Sequence, residues 1–442
     1  MTAPRDRVVD LVRAVAIVMV VLGHWLKQGL YVDDAGVLHR AGLLGRAEWT
    51  HPVTWVFQVM PLIFLVGGYV NALSWRHSSA RGIGYGGWLR SRVNRLLAPL
   101  LPLLAFWAVA GIGAGSVGLG RDWLHVGSDT ALLATWFLAV YAPVVALVPL
   151  TLRAWERWRW QSFLTCVAAA GVVDALTIAT GDRLLVGAVN VLLVWGALHQ
   201  LGYAWLDRAA PRRSVLILVA ACALAVNVLL VWPGPYGVSL VGVSGHGLNN
   251  TYPTRVTVLL LGVAQAAILA LLAPACARLA SHPAVWRAVV VVDRHAMTIY
   301  LWHLTVLAVL AGVCRHLDGL GLRVDPASGS WWLLRPAWLT ALAISTAVVV
   351  LLLGRVERHA AAPAPGPGPL VPLLEVLVLT GCLAALAADG LVVGDDNRWW
   401  VPATGVVVLV ALRRWDELRS LAPAKRPLPR GPSALPSRRR PT

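Results

Sequence analysis

Uninterrupted apolar runs of about 20 residues recur along the chain, and that is the length an α-helix needs to cross the hydrocarbon core of a bilayer. They fall at 8–29, 54–75, 93–115, 131–152, 161–180, 184–205, 214–232, 255–279, 294–315 and 332–354, followed by 371–393 and a shorter run at 399–413. A membrane β-barrel would instead show alternating segments of about 10 residues. Hydrophobic residues make up 58% of the chain and charged residues 13%. These values exclude a disordered chain, a coiled coil and an ordinary soluble enzyme. The expected fold is all-α, a polytopic transmembrane bundle of ten core spans plus two C-terminal spans. The first run is not read as a cleaved signal peptide, because it carries Asp10, Arg13 and His24 and no small-residue cleavage site follows it.

The net charge of +17 would suggest a nucleic-acid partner in a soluble protein. Here the arginines gather between alternate spans, at Arg76 and Arg81, at Arg153, Arg157 and Arg159, at Arg208, Arg212 and Arg213, and at Arg278 and Arg287. That is the positive-inside pattern, and it predicts cytoplasmic termini and a multi-pass protein of the bacterial plasma membrane, with no nucleic-acid partner. The organisation expected is a membrane core over 1–358, a Pro/Gly linker over 359–372, two further membrane segments over 373–413 and a basic Pro/Arg-rich tail over 414–442. The five cysteines lie scattered in apolar runs with no CxxC pair, so packing is expected rather than a disulfide frame or a metal site. Among the 22 tryptophans, Trp25, Trp55, Trp75, Trp205, Trp232, Trp331, Trp332, Trp399 and Trp400 lie near the ends of runs, where an interfacial belt would place them.

The first run holds the most informative pair. Arg13 and His24 are eleven residues apart, so on a helix they share one face within about 20° and stand about 16 Å apart along the axis. One reading is a snorkelling arginine and an interfacial histidine. The other is functional, since ionisable groups inside a membrane are costly and usually mark a site. A histidine titrating near neutrality can serve as a general base. Asp10 lies three residues before Arg13, where it can pair with it, and Lys27 lies three residues after His24. Asp174, Asn190 and Asn227 are further intramembrane polar groups without an assigned role.

Five short segments resemble the acyltransferase 3 family of integral-membrane acyltransferases, the O-antigen acetylase type. They are Asp10-Leu11-Val12-Arg13 with His24, Met60 to Val70 (MPLIFLVGGYV), Arg92-Val93-Asn94-Arg95, Thr135 to Tyr141 (TWFLAVY) and Ile299 to His303 (IYLWH), in the family's order and each in its expected span. Gly67 stands where the family usually has Ser, so no hydroxyl role carries over to it. The last two runs and the tail lie outside the resemblance. It implies acyl transfer from a cytoplasmic acyl-CoA, with acetyl-CoA the expected donor and no metal. The acceptor expected is a hydroxyl of an envelope carbohydrate, a lipid-linked glycan or a secreted metabolite.

On that basis His24 and Arg13 are the catalytic candidates. Arg92 and Arg95, three apart on a helix, are expected to grip donor phosphates through bidentate bonds, with ordinary positive-inside charge as the alternative. Tyr69, beside Asn71, is a candidate donor contact or a packing residue. Trp136 and Tyr141 are candidates for the acceptor pocket or for packing, and His303 either lines the cavity or is a satisfied structural histidine. The polar loop from Gly245 to Pro253 (GHGLNNTYP) is either an acceptor-side lid or a plain surface loop. The competing function class is a proton-coupled transporter or flippase, which would move its substrate without covalent change.

Overall fold

The computed structural model describes residues 6–113, 121–181, 184–243, 247–316, 321–354, 368–393, 396–397 and 400–421. Parts of the expected linker (359–367), the expected tail (422–442) and the polar loop (245–246) lie outside them. The first helix, α1 (Arg7–Lys27), opens on Asp6, whose carboxylate accepts from the amides of Val8 and Val9 at 2.9 and 3.3 Å. That cap satisfies donors that a helix start leaves orphaned. The chain leaves α1 through an antiparallel hairpin, β1 (Gln28–Val32) and β2 (Leu38–Gly42), and two short helices, α2 (Leu43–Arg46) and α3 (Thr54–Phe57). The second span is α3 continued by α4 (Met60–Ala80) after a break at Gln58, whose carbonyl accepts from Gln265 at 2.9 Å.

The third span, α5 (Tyr85–Gly113), starts a full two turns before the apolar run and carries Pro99 and Pro102 internally. The fourth is split into α6 (Arg121–Leu132) and α7 (Thr135–Ala146), and the freed carbonyl of Ala134 at the break accepts from the Tyr300 hydroxyl at 2.9 Å. The amphipathic α8 (Val148–Trp158) follows, then α9 (Trp160–Ala179), α10 (Leu184–Leu206), α11 (Arg213–Val231) and α12 (Val256–Ser281). A second amphipathic helix, α13 (Pro283–Arg294), leads into α14 (Ala296–His316) and α15 (Gly329–Leu353). A C-terminal pair, α16 (Leu370–Asp389) and α17 (Trp400–Leu421), completes the bundle. Among the described residues, eleven helical segments are long and apolar enough to cross a membrane. They match eleven of the twelve expected spans; the twelfth, α17, is a 22-residue helix whose C-terminal part carries Arg413, Arg414, Asp416, Glu417 and Arg419, which dilutes its hydropathy.

Small residues set the closest contact, as they do where helices must approach inside a bilayer. A Cβ on Gly68 of α4 would lie 1.9 Å from the His199 carbonyl, and one on Gly202 of α10 would lie 2.1 Å from the Leu65 carbonyl. The α4–α10 seam therefore tolerates only glycine. Several tryptophans correct the belt expectation. Trp25 and Trp331 are 4% and 0% exposed, and Trp25 turns inward because its indole N–H donates to the His303 carbonyl at 3.1 Å. Trp232 and Trp400 are exposed, as a belt position requires.

The two ends of the bundle are tied by ion pairs. At the β1–β2 end, the buried Asp174 of α9 takes Arg255 Nη1 at 2.7 Å, the Val256 amide at 3.0 Å and the Tyr236 hydroxyl at 3.0 Å, which ties Tyr236 and the start of α12 to α9. That is the role of an intramembrane Asp the sequence leaves unassigned. At the opposite end Asp207, just past α10, takes Arg76 at 2.8 Å, Arg159 at 2.6 Å and the Trp155 indole at 3.0 Å. Burial acts to raise its pKa, but these hydrogen bonds outweigh it and hold the carboxyl below the ordinary carboxylate range.

Candidate functional site

A cavity of about 350 Å³ opens between α1, α4, α5, α7, α13 and α14 at the end of the bundle away from the β1–β2 hairpin. Its walls combine Arg13 and Ile17 of α1, Gly67 and Asn71 of α4, Arg92 and Arg95 of α5, Phe137 and Tyr141 of α7, Asp293 and Arg294 of α13, and Met297 and Tyr300 of α14. Four guanidiniums thus converge on one chamber. Arg13 is neutralised: its Nε donates to Asp293 at 2.8 Å and its Nη2 to Asp10 at 3.2 Å. Arg92, Arg95 and Arg294 make no ion pair among the described residues, and the buried Arg92 Nε has no hydrogen-bond partner. Arg92 is half-buried, and Arg95 and Arg294 are exposed. Guanidiniums without acid partners attract a polyanion, above all phosphate, which matches their planar donor fork.

Arg90, by contrast, turns away to Glu375 of α16 at 3.3 Å. Arg413 of α17 reaches the same carboxylate at 3.3 Å and Asn94 Oδ1 at 2.7 Å. The C-terminal helix pair therefore grips α5 within the Arg92-Val-Asn-Arg95 segment itself.

The middle of the chamber has one polar pair on an otherwise apolar wall. Asn71 Nδ2 donates to the Tyr141 hydroxyl at 2.8 Å and also contacts His199 Nε2 at 3.2 Å, and His199 Nδ1 is 3.0 Å from the Tyr203 hydroxyl. Gly67 makes this possible. A Cβ there would lie 2.8 Å from the Tyr141 ring, so the Gly that replaces the family's Ser is the space into which Tyr141 packs.

Beyond the chamber, toward the hairpin end, His24 meets His303. Nδ1 of His24 is 2.8 Å from Nε2 of His303, and the ring planes agree within 6°. Nδ1 of His303 lies 2.6 Å from the Tyr300 carbonyl, which can only accept. So His303 carries its proton on Nδ1, its Nε2 is the acceptor, and His24 donates from Nδ1. That leaves the lone pair of a neutral His24 on Nε2. His303 is fully buried and His24 half-buried.

The structure brings together Arg13, Arg92, Arg95 and Tyr141 in the chamber, and His24 with His303 above it. His24 and His303 do not line the chamber; the link is Tyr300, whose residue forms its wall and whose carbonyl holds His303. Tyr69 packs beside Val8, Val9 and Val66 outside it, and Trp136 packs on Phe137 and Trp195. Asp293 and Arg294 are absent from the sequence candidates, because they end an amphipathic stretch, WRAVVVVDR, that reads as a loop joining two spans. The alternation of a charged pair with an apolar face was the available signal.

The profile of the acyltransferase 3 family, described as an acyltransferase domain, matches residues 6–355, so the chain belongs to that family. It is similar to nodulation protein NolL of Sinorhizobium fredii (strain NBRC 101917 / NGR234), 26% identical over 261 residues. The match covers 52% of this chain and 65% of NolL, less than two thirds of that protein's length. No solved structure matches. The chain is therefore a multi-pass membrane protein of an acyltransferase family, and α16 and α17 lie outside the matched region.

Proposed function

We propose that this member of the acyltransferase 3 family moves an acyl group from acyl-CoA, with acetyl-CoA as the first donor to try, to a hydroxyl of an envelope carbohydrate, a lipid-linked glycan or a secreted metabolite. Its setting is the bacterial plasma membrane with both termini cytoplasmic, which puts the arginine chamber on the cytoplasmic side and the His24–His303 pair toward the outer side. The acyltransferase core ends near residue 358, and α16 and α17 brace its donor helix. The observation that carries the reading is the set of three unpaired guanidiniums, Arg92, Arg95 and Arg294, on one chamber whose far wall connects through Tyr300 to a paired histidine.

The steps follow from that arrangement. The donor's phosphates bind at Arg92, Arg95 and Arg294, and Asp10 and Asp293 hold the Arg13 side chain as a fixed dipole rather than a free charge. The long arm of the donor passes Tyr141 and Asn71, which offer hydrogen bonds to its amides, and presents the thioester near His24. His24 Nε2 takes the proton of the acceptor hydroxyl while the oxygen attacks the thioester carbonyl. The imidazolium that forms keeps its Nδ1 hydrogen bond to His303, whose own orientation is locked by Tyr300. Collapse of the adduct breaks the C–S bond, and His24 returns the proton to the departing thiolate. Among the described residues no Ser or Cys pairs with His24, so direct transfer is the simpler scheme, with a transient acyl-imidazole on His24 as the alternative.

The test is a supply of acyl-labelled CoA to inside-out vesicles. Acyl transfer predicts free CoA in the medium and label in an envelope fraction. A transporter predicts movement of substrate with the thioester intact.

A further inference from the structure

Intramembrane arginines in this protein fall into two groups. Arg13, Arg90 and Arg255 each reach a carboxylate. Arg92 and Arg95 reach none, and they face the chamber proposed for a phosphate-bearing donor. One more arginine belongs to the second group and stands on another helix. Arg335 lies about 9 Å along the axis from the start of α15, by the rise of a helix. It is 5% exposed and pairs with no carboxylate among the described residues.

Its surroundings are those of a built site. Trp331 and Trp338, four residues before and three after, are 0% and 2% exposed, and the guanidinium carbon sits 4.1 Å from one ring centre and 5.7 Å from the other. Its single hydrogen bond runs from Nε to the Trp331 carbonyl at 3.2 Å. The N–H groups on Nη1 and Nη2 therefore have no protein acceptor among the described residues. Nor, among the described residues, does the buried indole N–H of Trp331. A buried donor without an acceptor is costly, and this one lies four residues from Arg335, on the same side of the helix. An arginine stacked on an indole, with its Nε engaged and its outer edge vacant, has the geometry for bidentate binding of phosphate.

The position of α15 selects the source of that phosphate. It is the least buried of the eleven spans found among the described residues, with 17% of its apolar window covered. It starts at the hairpin end of the bundle, where Trp331 packs on Leu43 and Ala47. A ligand reaches this helix sideways from the bilayer more readily than from the cytoplasmic chamber.

We propose that Arg335, with Trp331, is a binding site for the phosphate of a lipid or lipid-linked molecule in the leaflet at the hairpin end. The inference is independent of acyl transfer. Its test is binding by the purified full-length chain in neutral detergent, followed by native mass spectrometry with three probes: phosphatidylglycerol, farnesyl phosphate and inorganic phosphate. The wild type should take up the two lipid phosphates and not inorganic phosphate. Arg335→Met should weaken the lipid adducts about tenfold or more, Arg335→Lys should retain part of the binding, and Trp331→Phe, which removes only the indole donor, should weaken it less than Arg335→Met. Equal binding by wild type and Arg335→Met overturns the site. Binding of inorganic phosphate as strong as that of the lipids overturns the lipid source. Should Arg335→Met fail to fold, the Lys and Phe variants decide alone, and wild-type binding in both overturns the proposal.

Discussion

His24 and His303 share a 2.8 Å hydrogen bond between Nδ1 and Nε2, and their rings are coplanar to 6°. The Tyr300 carbonyl at 2.6 Å fixes the direction of that bond. His24→Ala is expected to lower the transfer rate about 10²–10⁴-fold, the usual worth of a general base. His303→Ala should lower kcat less and leave the donor KM unchanged, because it disturbs the orientation of His24 and not the chamber. Steady-state kinetics of both variants check this; a wild-type kcat in His303→Ala contradicts the relay.

Arg13 is held by two carboxylates from different helices, Asp10 and Asp293. Removing one partner of a buried pair costs about 3–5 kcal/mol when nothing else compensates. Asp293→Asn should cost less, since Asp10 remains, and Asp293→Glu should restore part of the loss. Thermal melting in detergent measures the stability change. The donor KM should rise in the same order, because α13 also carries Arg294 into the chamber.

Gly67 gives way to the Tyr141 ring, 2.8 Å from where a Cβ would stand. Gly67→Ser, which restores the residue the family usually has, should destabilise by about 1–3 kcal/mol through overpacking. It should also displace Tyr141 and raise the donor KM. Gly67→Ser combined with Tyr141→Phe should not recover stability, since the clash is with the ring. Recovery in the double variant would place the conflict at the hydroxyl instead.

Asp207 has a folded pKa below its unfolded value of about 3.9. Such a group stabilises the fold fully above the unfolded pKa, and the contribution disappears as pH falls through the folded pKa. Asp207→Asn should therefore melt below the wild type at neutral pH, and the gap should close under acid conditions, below about pH 4. A gap that is independent of pH would assign the effect to packing.

Most of the architecture was legible because bilayer thickness imposes a length on every helix. The ends were less so. α5 begins at Tyr85 rather than near Val93, since its first turns are amphipathic and carry Arg90 and Arg92. The break between α6 and α7 is invisible in an apolar run, because Tyr300 from a distant helix satisfies the freed carbonyl. Arg13, Arg92, Arg95 and Tyr141 could be singled out from motif and spacing, but their meeting in one chamber could not. Nor could Asp293, 280 residues from its partner Arg13. Trp331 read as an interfacial residue from its position near a run end. Its burial against Arg335 depends on packing by the short helix α2 at Leu43 and its C-cap Ala47, which no local pattern encodes.

The division of labour between the arginine chamber and the histidine pair is the central claim. It is tested most directly by measuring CoA binding and CoA release separately in the same vesicles for wild type, His24→Ala and Arg95→Ala. The account predicts that His24→Ala binds CoA as the wild type does but releases none from acetyl-CoA, whereas Arg95→Ala binds about tenfold more weakly or worse and turns over in proportion once saturated. CoA release at the wild-type rate by His24→Ala, or undiminished CoA binding by Arg95→Ala, would contradict it.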